Sequence, residues 1–208
     1  MWMFVCITLL TNLVLSDKIL VLIDSWDIQE SHSRFLDSIS ASHTLKIRMV
    51  NDPKISLSKY GEYKYDHVLF LAPSASEIGK GLNENDLLDF FDHGDGNIVL
   101  IGDTDAGMIA RKLANNFGMD FHEQGTRIFQ GIDETLIRTT NTTEYNAIAG
   151  RPRGEIHFSG LGVYIKRDNE LATSLIRGSN SAYIVNEMKG HDRVETPEGS
   201  AIHLAVAF

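Results

Sequence analysis

The residues best suited to chemistry are Asp103 and Asp105, set around Thr104 just after an apolar run, Asn97-Ile98-Val99-Leu100-Ile101-Gly102. Two carboxylates around one residue at the end of a buried strand could hold a divalent cation against a nucleotide-sugar pyrophosphate. The bland alternative is helix capping, with Asp103 or Thr104 as N-cap and Asp105 in the first turn, where orphan N–H groups and the helix dipole favour acids. Asp24 ends another apolar run and joins Asp103 as a carboxylate expected at the ligand-binding ends of strands.

Other templates fail. Gly79-Lys80-Gly81, Gly94-Asp95-Gly96 and Gly160-Leu161-Gly162 each lack the third glycine of a dinucleotide loop. There is no P-loop and no G-x-S-x-G elbow to present a serine nucleophile. The 8 histidines show no HxH or HExxH spacing, so no zinc site is readable. Glu84, Asp86, Asp89 and Asp92 lie opposite an apolar stripe and read as a solvated helix face. Asn141-Thr142-Thr143 is an N-glycosylation sequon. Lys59 to Asp66, rich in Tyr and Lys, reads either as a binding loop or as a packed surface loop. No catalytic residue, cofactor or metal is therefore assigned. Asp103 and Asp105 remain the weak alternative.

These groups must be positioned by alternating strands and helices. Lys18 to Asp24 and His67 to Ala72 are continuous apolar runs, the mark of strands buried on both faces, and Asn97 to Gly102 is read the same way. His43 to Val50 alternates with period two. Helical spacing covers Gln29–Ser40 (Phe35, Leu36, Ile39), Asn83–His93 (Leu87, Leu88, Phe90, Phe91) and Asp105–Phe117 (Met108, Ile109, Leu113). The alternation predicts an α/β, doubly wound, mostly parallel sheet of flavodoxin-like layout in the N-terminal half. That layout also suits glutamine amidotransferases, but their Cys nucleophile has no counterpart after residue 16. The second half is less regular and β-rich. Phe158–Ile165, Ala182–Val185 and Ser200–Phe208 read as strands, and the last one stops without a polar tail, which suggests a shortened product.

The 208 residues, 43% of them hydrophobic and 23% charged, are ample for a large core. The net charge of −9 argues against nucleic acid and against an electrostatic hold on anionic lipid. Residues 1–16 contain no charge and an apolar stretch from Phe4 to Leu15, too short and too interrupted for a span but suited to a secretory signal peptide. Cleavage is expected between Ser16 and Asp17, leaving 17–208 as the mature α/β domain; a buried first strand or an anchor is the alternative. The single cysteine, Cys6, would leave with the leader.

A longer pattern then stands out. Asn51-Asp52-Pro53, Ser56-Leu57, Lys59-Tyr60-Gly61-Glu62-Tyr63 and Tyr65-Asp66 run into Val68-Leu69-Phe70-Leu71-Ala72-Pro73-Ser74. Leu20-Val21-Leu22-Ile23-Asp24, Glu30-Ser31-His32-Ser33, Phe90-Phe91-Asp92, Gly118-Met119-Asp120-Phe121 and Ser159-Gly160-Leu161-Gly162 keep the same order. This pattern resembles the DDOST family of oligosaccharyltransferase subunits over nearly the whole chain after residue 16, most strongly up to about Phe121. The resemblance implies a flavodoxin-like domain on the lumenal side of the endoplasmic reticulum. Further β structure and a C-terminal membrane helix would follow, neither of which this sequence includes. It implies a non-catalytic role: another subunit moves a preassembled oligosaccharide from dolichyl diphosphate to Asn in Asn-x-Ser/Thr, while the DDOST-type subunit stabilises the complex. Partners would be the catalytic and other subunits, with the membrane reached through the complex or the missing helix. The rival class is a metal-dependent sugar-binding or sugar-transferring enzyme built on Asp103 and Asp105. A lumenal reader of cargo glycans is a third class.

Overall fold

The computed structural model describes residues 16–94, 96–131, 135–140, 154–190, 192–193 and 202–207. Its first half is built on four parallel strands: β1 (Lys18–Ile23), β2 (Thr44–Met49), then β5 (His67–Leu71) and β6 (Asn97–Leu100), after a small hairpin of β3 (Ser58–Lys59) and β4 (Glu62–Tyr63). The order across the sheet is β2-β1-β5-β6. Val21 lies opposite Ile47 on one side and Leu69 on the other. β1 is apolar at every position from Ile19 to Ile23 because it is central and covered on both faces. On one face Leu20, Leu22, Val68 and Phe70 pack with Leu87, Phe90, Ile109 and Leu113. These last four come from α3 (Glu84–His93) and α4 (Met108–Asn116). On the other face Ile19, Val21, Ile23, Leu69 and Leu71 pack with Leu36. Leu36 belongs to α2 (Ser33–Ser40), which follows the short α1 (Asp27–Ser31). The expected α/β class, parallel sheet and β-rich second half are thus observed.

Three elements of the first half differ from the sequence reading. The helix expected over Gln29–Ser40 is two pieces broken at His32. The strand Asn97–Gly102 is not buried on both faces: β6 is an edge strand, and Val99 is 52% and Ile101 39% exposed. A run of apolar letters cannot distinguish a centre strand from an edge. The helix expected from Asp105 starts only at Met108, with Gly107 as its N-cap, and Met108 is exposed. By contrast α3 starts where expected. Asn83 Oδ1 accepts from the N–H of Asn85 (2.8 Å) and Asp86 (3.1 Å), and Asp86 returns a carboxylate to the Asn83 N–H at 2.8 Å.

The second half is antiparallel. β7 (Met119–Phe121), β11 (Val163–Ile165), β15 (His203–Ala207) and β12 (Thr173–Arg177) form one sheet in the order β12-β15-β11-β7. β8 (Thr126–Gln130), β13 (Ala182–Asn186) and β14 (Asp192–Arg193) form another, and β9 (Ile137–Thr139) pairs with β10 (Ile156–Phe158). The single strand expected over Phe158–Ile165 is therefore two strands of different sheets, interrupted by Gly160-Leu161-Gly162. The halves join where Phe121 and Leu161 pack on Ala106, Ala110 and Ala114. Alanines on the α4 surface let the second layer approach closely. Gly102 does the same: a Cβ there would lie 2.5 Å from the Phe121 ring.

Candidate functional site

In a doubly wound sheet the expected ligand crevice lies beyond the carboxyl ends of the strands where the order reverses, here between β1 and β5. The chain fills this position with its own backbone. Asp24 accepts the Ser74 N–H at 2.9 Å, tying the two strand ends together. The turn after β5 is then fastened to the start of α4: the Gly107 N–H donates to Pro73 O at 2.6 Å and the Ile109 N–H to Ala75 O at 3.3 Å. The fit is close enough that a Cβ on Gly107 would sit 2.4 Å from Ala75 O. Two N–H groups at the start of α4, those of Gly107 and Ile109, which could otherwise face an anion, thus have carbonyl partners. Asp24 thus serves as a staple between strands.

Asp103 and Asp105 sit exposed on the turn between β6 and α4. Asp103 Oδ1 accepts the Thr104 N–H at 2.7 Å, and its carbonyl accepts from Ala106 N at 2.8 Å. Asp103 therefore closes this turn instead of capping the helix, which corrects the capping alternative. Among the described residues, no group of three His, Cys, Asp or Glu side chains converges as metal ligands. Asn141 lies outside the described residues. Ser16 and Asp17 lead directly into β1. Ser16 is exposed, while Asp17 approaches His43 Nδ1 at 3.3 Å and His67 Nε2 at 3.5 Å.

The Lys59–Asp66 segment resolves in favour of packing. β3 and β4 form a two-residue hairpin turning at Tyr60 (φ 58°) and Gly61 (φ 86°), both left-handed. Tyr63 docks the hairpin on α3, donating its hydroxyl to Asp89 O at 3.0 Å and meeting the Phe90 ring edge-on at 5.3 Å. Tyr60 at the tip is 94% exposed.

A surface cavity of about 580 Å³ runs along α4 and is lined by Arg111, Lys112, Asn115, Asp120 and Gln124 among others. Both of its cationic side chains are engaged in structure. Arg111 donates from Nε to Ala106 O and from Nη1 to Phe121 O, both at 3.0 Å, clamping β7 to the turn before α4. Lys112 pairs with Glu84 at 3.3 Å. The backbone N–H at the start of α3, then Lys112, hold the Glu84 carboxyl below its usual range. Behind the clamp, burial drives the His122 pKa down to about 4, helped by His203 and Arg111, with Asp120 partly offsetting them. Its Nε2 is enclosed without a hydrogen-bond partner. Nothing in the local sequence marks His122, because Gly162 and His203 come from strands and turns forty residues or more further on.

Among the described residues no helix is long and apolar enough to cross a membrane. Comparison with known proteins matches residues 11–208 to the family model described as OST48, N-terminal domain. The chain is similar to the dolichyl-diphosphooligosaccharide–protein glycosyltransferase 48 kDa subunits of Danio rerio (31% identical, 84% of this chain and 42% of the relative) and Caenorhabditis elegans (30%, 81% and 41%). The Arabidopsis thaliana subunit is 29% identical over 90% of this chain and 46% of the relative. The chain thus spans less than half the length of these relatives. Two relatives reach about 30% identity and the family model covers the described fold from β1 to β15. The chain therefore belongs to the OST48 N-terminal domain family, the DDOST family read from its residues.

Proposed function

We propose that this chain is the lumenal α/β part of a non-catalytic oligosaccharyltransferase subunit. It supports transfer of a preassembled oligosaccharide from dolichyl diphosphate to Asn of Asn-x-Ser/Thr in nascent proteins. The relatives are named as 48 kDa subunits of that transferase. The observation carrying the non-catalytic reading is the crevice between β1 and β5, where the Ser74 N–H takes up the Asp24 carboxylate and the Gly107 N–H takes up the Pro73 carbonyl. Residues 1–16 act as the leader, with cleavage between Ser16 and Asp17, so the new terminus falls one residue before β1. Residues 17–208 form the lumenal domain, Asn141 is its glycan acceptor, and the membrane is reached through the complex or through a C-terminal membrane helix.

The test is to express the tagged full chain in cells and isolate it from endoplasmic reticulum membranes. The expected result is a product lacking residues 1–16, shifted by glycosidase through Asn141, and co-purifying with the catalytic subunit. A chain that enters the lumen and never associates with that complex overturns the reading. Calorimetry with manganese and a nucleotide sugar tests the rival: saturable binding abolished by Asp103→Ala would replace a scaffold with a sugar-binding enzyme.

A further inference from the structure

Among the described strands, β6 presents an unused edge. Ile101 donates its N–H to Phe70 O at 3.3 Å on the β5 side. Because N–H directions alternate along a strand, those of Ile98 and Leu100 point away from β5. No described strand pairs with this outer side. The side chains tell the same story. Val99 lies in register with Leu69, which is buried under α2, yet the apolar cluster beneath α2 ends at β5. Val99 and Ile101 are left open beyond it. Proteins shield an exposed edge with charge, proline or a bulge. β6 has none of these between Asn97 and Leu100. Its charges come only after its carboxyl end, as the exposed Asp103 and Asp105, with no ion pair to either among the described residues.

We infer that β6 receives an extended segment from a sister subunit, added as a fifth strand to the sheet. The segment places apolar side chains at alternate positions over Val99 and Ile101. It carries Lys or Arg where it meets Asp103 and Asp105. An open backbone edge selects an extended partner over a helix, because only a strand satisfies both its N–H and its C=O groups. Charge selects a basic-ended partner over a second copy of this chain, since each copy carries −9. The inference rests on the reading of this chain as a subunit of that complex.

The experiment uses the full chain expressed in the endoplasmic reticulum, comparing wild type, Val99→Lys/Ile101→Lys and Asp105→Lys. Capture of the catalytic subunit is expected to fall at least about tenfold for the double variant and several-fold for Asp105→Lys. Melting temperatures should stay within about 2 °C, as befits exposed positions. In an otherwise unaltered chain, a photo-crosslinking residue at Val99 should label a sister subunit on a segment of alternating apolar residues. This second readout does not depend on how the lysine variant folds. Wild-type capture with undiminished capture by the double variant, or a Val99 crosslink to a second copy or to a helix, overturns the edge inference and leaves the subunit reading intact. Absence of wild-type capture overturns both.

Discussion

The enclosed imidazole of His122 makes stability depend on pH in a way that can be worked out. His122 follows β7, donates its backbone N–H to Gly162 O at 3.1 Å, and packs so tightly there that a Cβ on Gly162 would lie 2.7 Å from its ring. Every charged or titratable group named around it (Arg111 on α4, Asp120 on β7, His203 on β15) sits on an element of the junction between the two halves. Unfolded, the ring takes a proton below its ordinary value of 6.5; folded, it resists until about 4. The unfolded chain therefore binds more protons throughout that window, and stability falls as pH drops from 6.5 towards 4. The whole window is worth about 3 kcal/mol, of which about 2 kcal/mol should be lost between pH 7.5 and 5. His203, also lowered by burial and by Arg177, adds a loss of the same sign. Urea unfolding at several pH values measures the slope, and His122→Gln isolates this residue's share. The variant is expected to be less stable at pH 7.5 but to lose about 2 kcal/mol less than wild type on going to pH 5. An identical slope in the two proteins would refute the account, as would a flat wild-type profile over this range.

Three further substitutions test the packing. Gly96→Ala puts a methyl 2.2 Å from Cζ of the fully buried Phe90 ring, so it should cost about 2–3 kcal/mol and lower the melting temperature by roughly 5 °C or more. Tyr60→Asn keeps the left-handed turn with a residue suited to it. It should stabilise by about 1 kcal/mol in urea unfolding, and a loss would show that the exposed tyrosine ring has a structural role. Asn83→Ala removes the acceptor of two N–H groups at the start of α3 and should cost about 1 kcal/mol by the same measurement.

Local chemistry is what one chain segment can announce by itself. The runs at Ile19–Ile23 and Val68–Leu71 marked central strands because burial on both faces demands an unbroken apolar series. Leu87, Leu88, Phe90 and Phe91 marked α3 because helical spacing is a property of one short segment. The ordered pattern through Asn51–Ser74 identified the family, and no complete reaction motif was readable anywhere.

What depends on distant neighbours was decided only by tertiary structure. β6 reads like β1 in its letters, but the apolar cluster beneath α2 ends at β5, so Val99 and Ile101 stay exposed. Asp103 appeared free to ligate or to cap, yet the chain folds it onto its own turn. Asp24 looked like a ligand at a strand end and became a fastening for Ser74, fifty residues on. The buried state of His122 was invisible because its walls come from Gly162, His203 and Arg111, which meet only when the antiparallel half closes on α4. A residue's type fixes which bonds it can make, and only the packed chain settles which partner reaches it before water does.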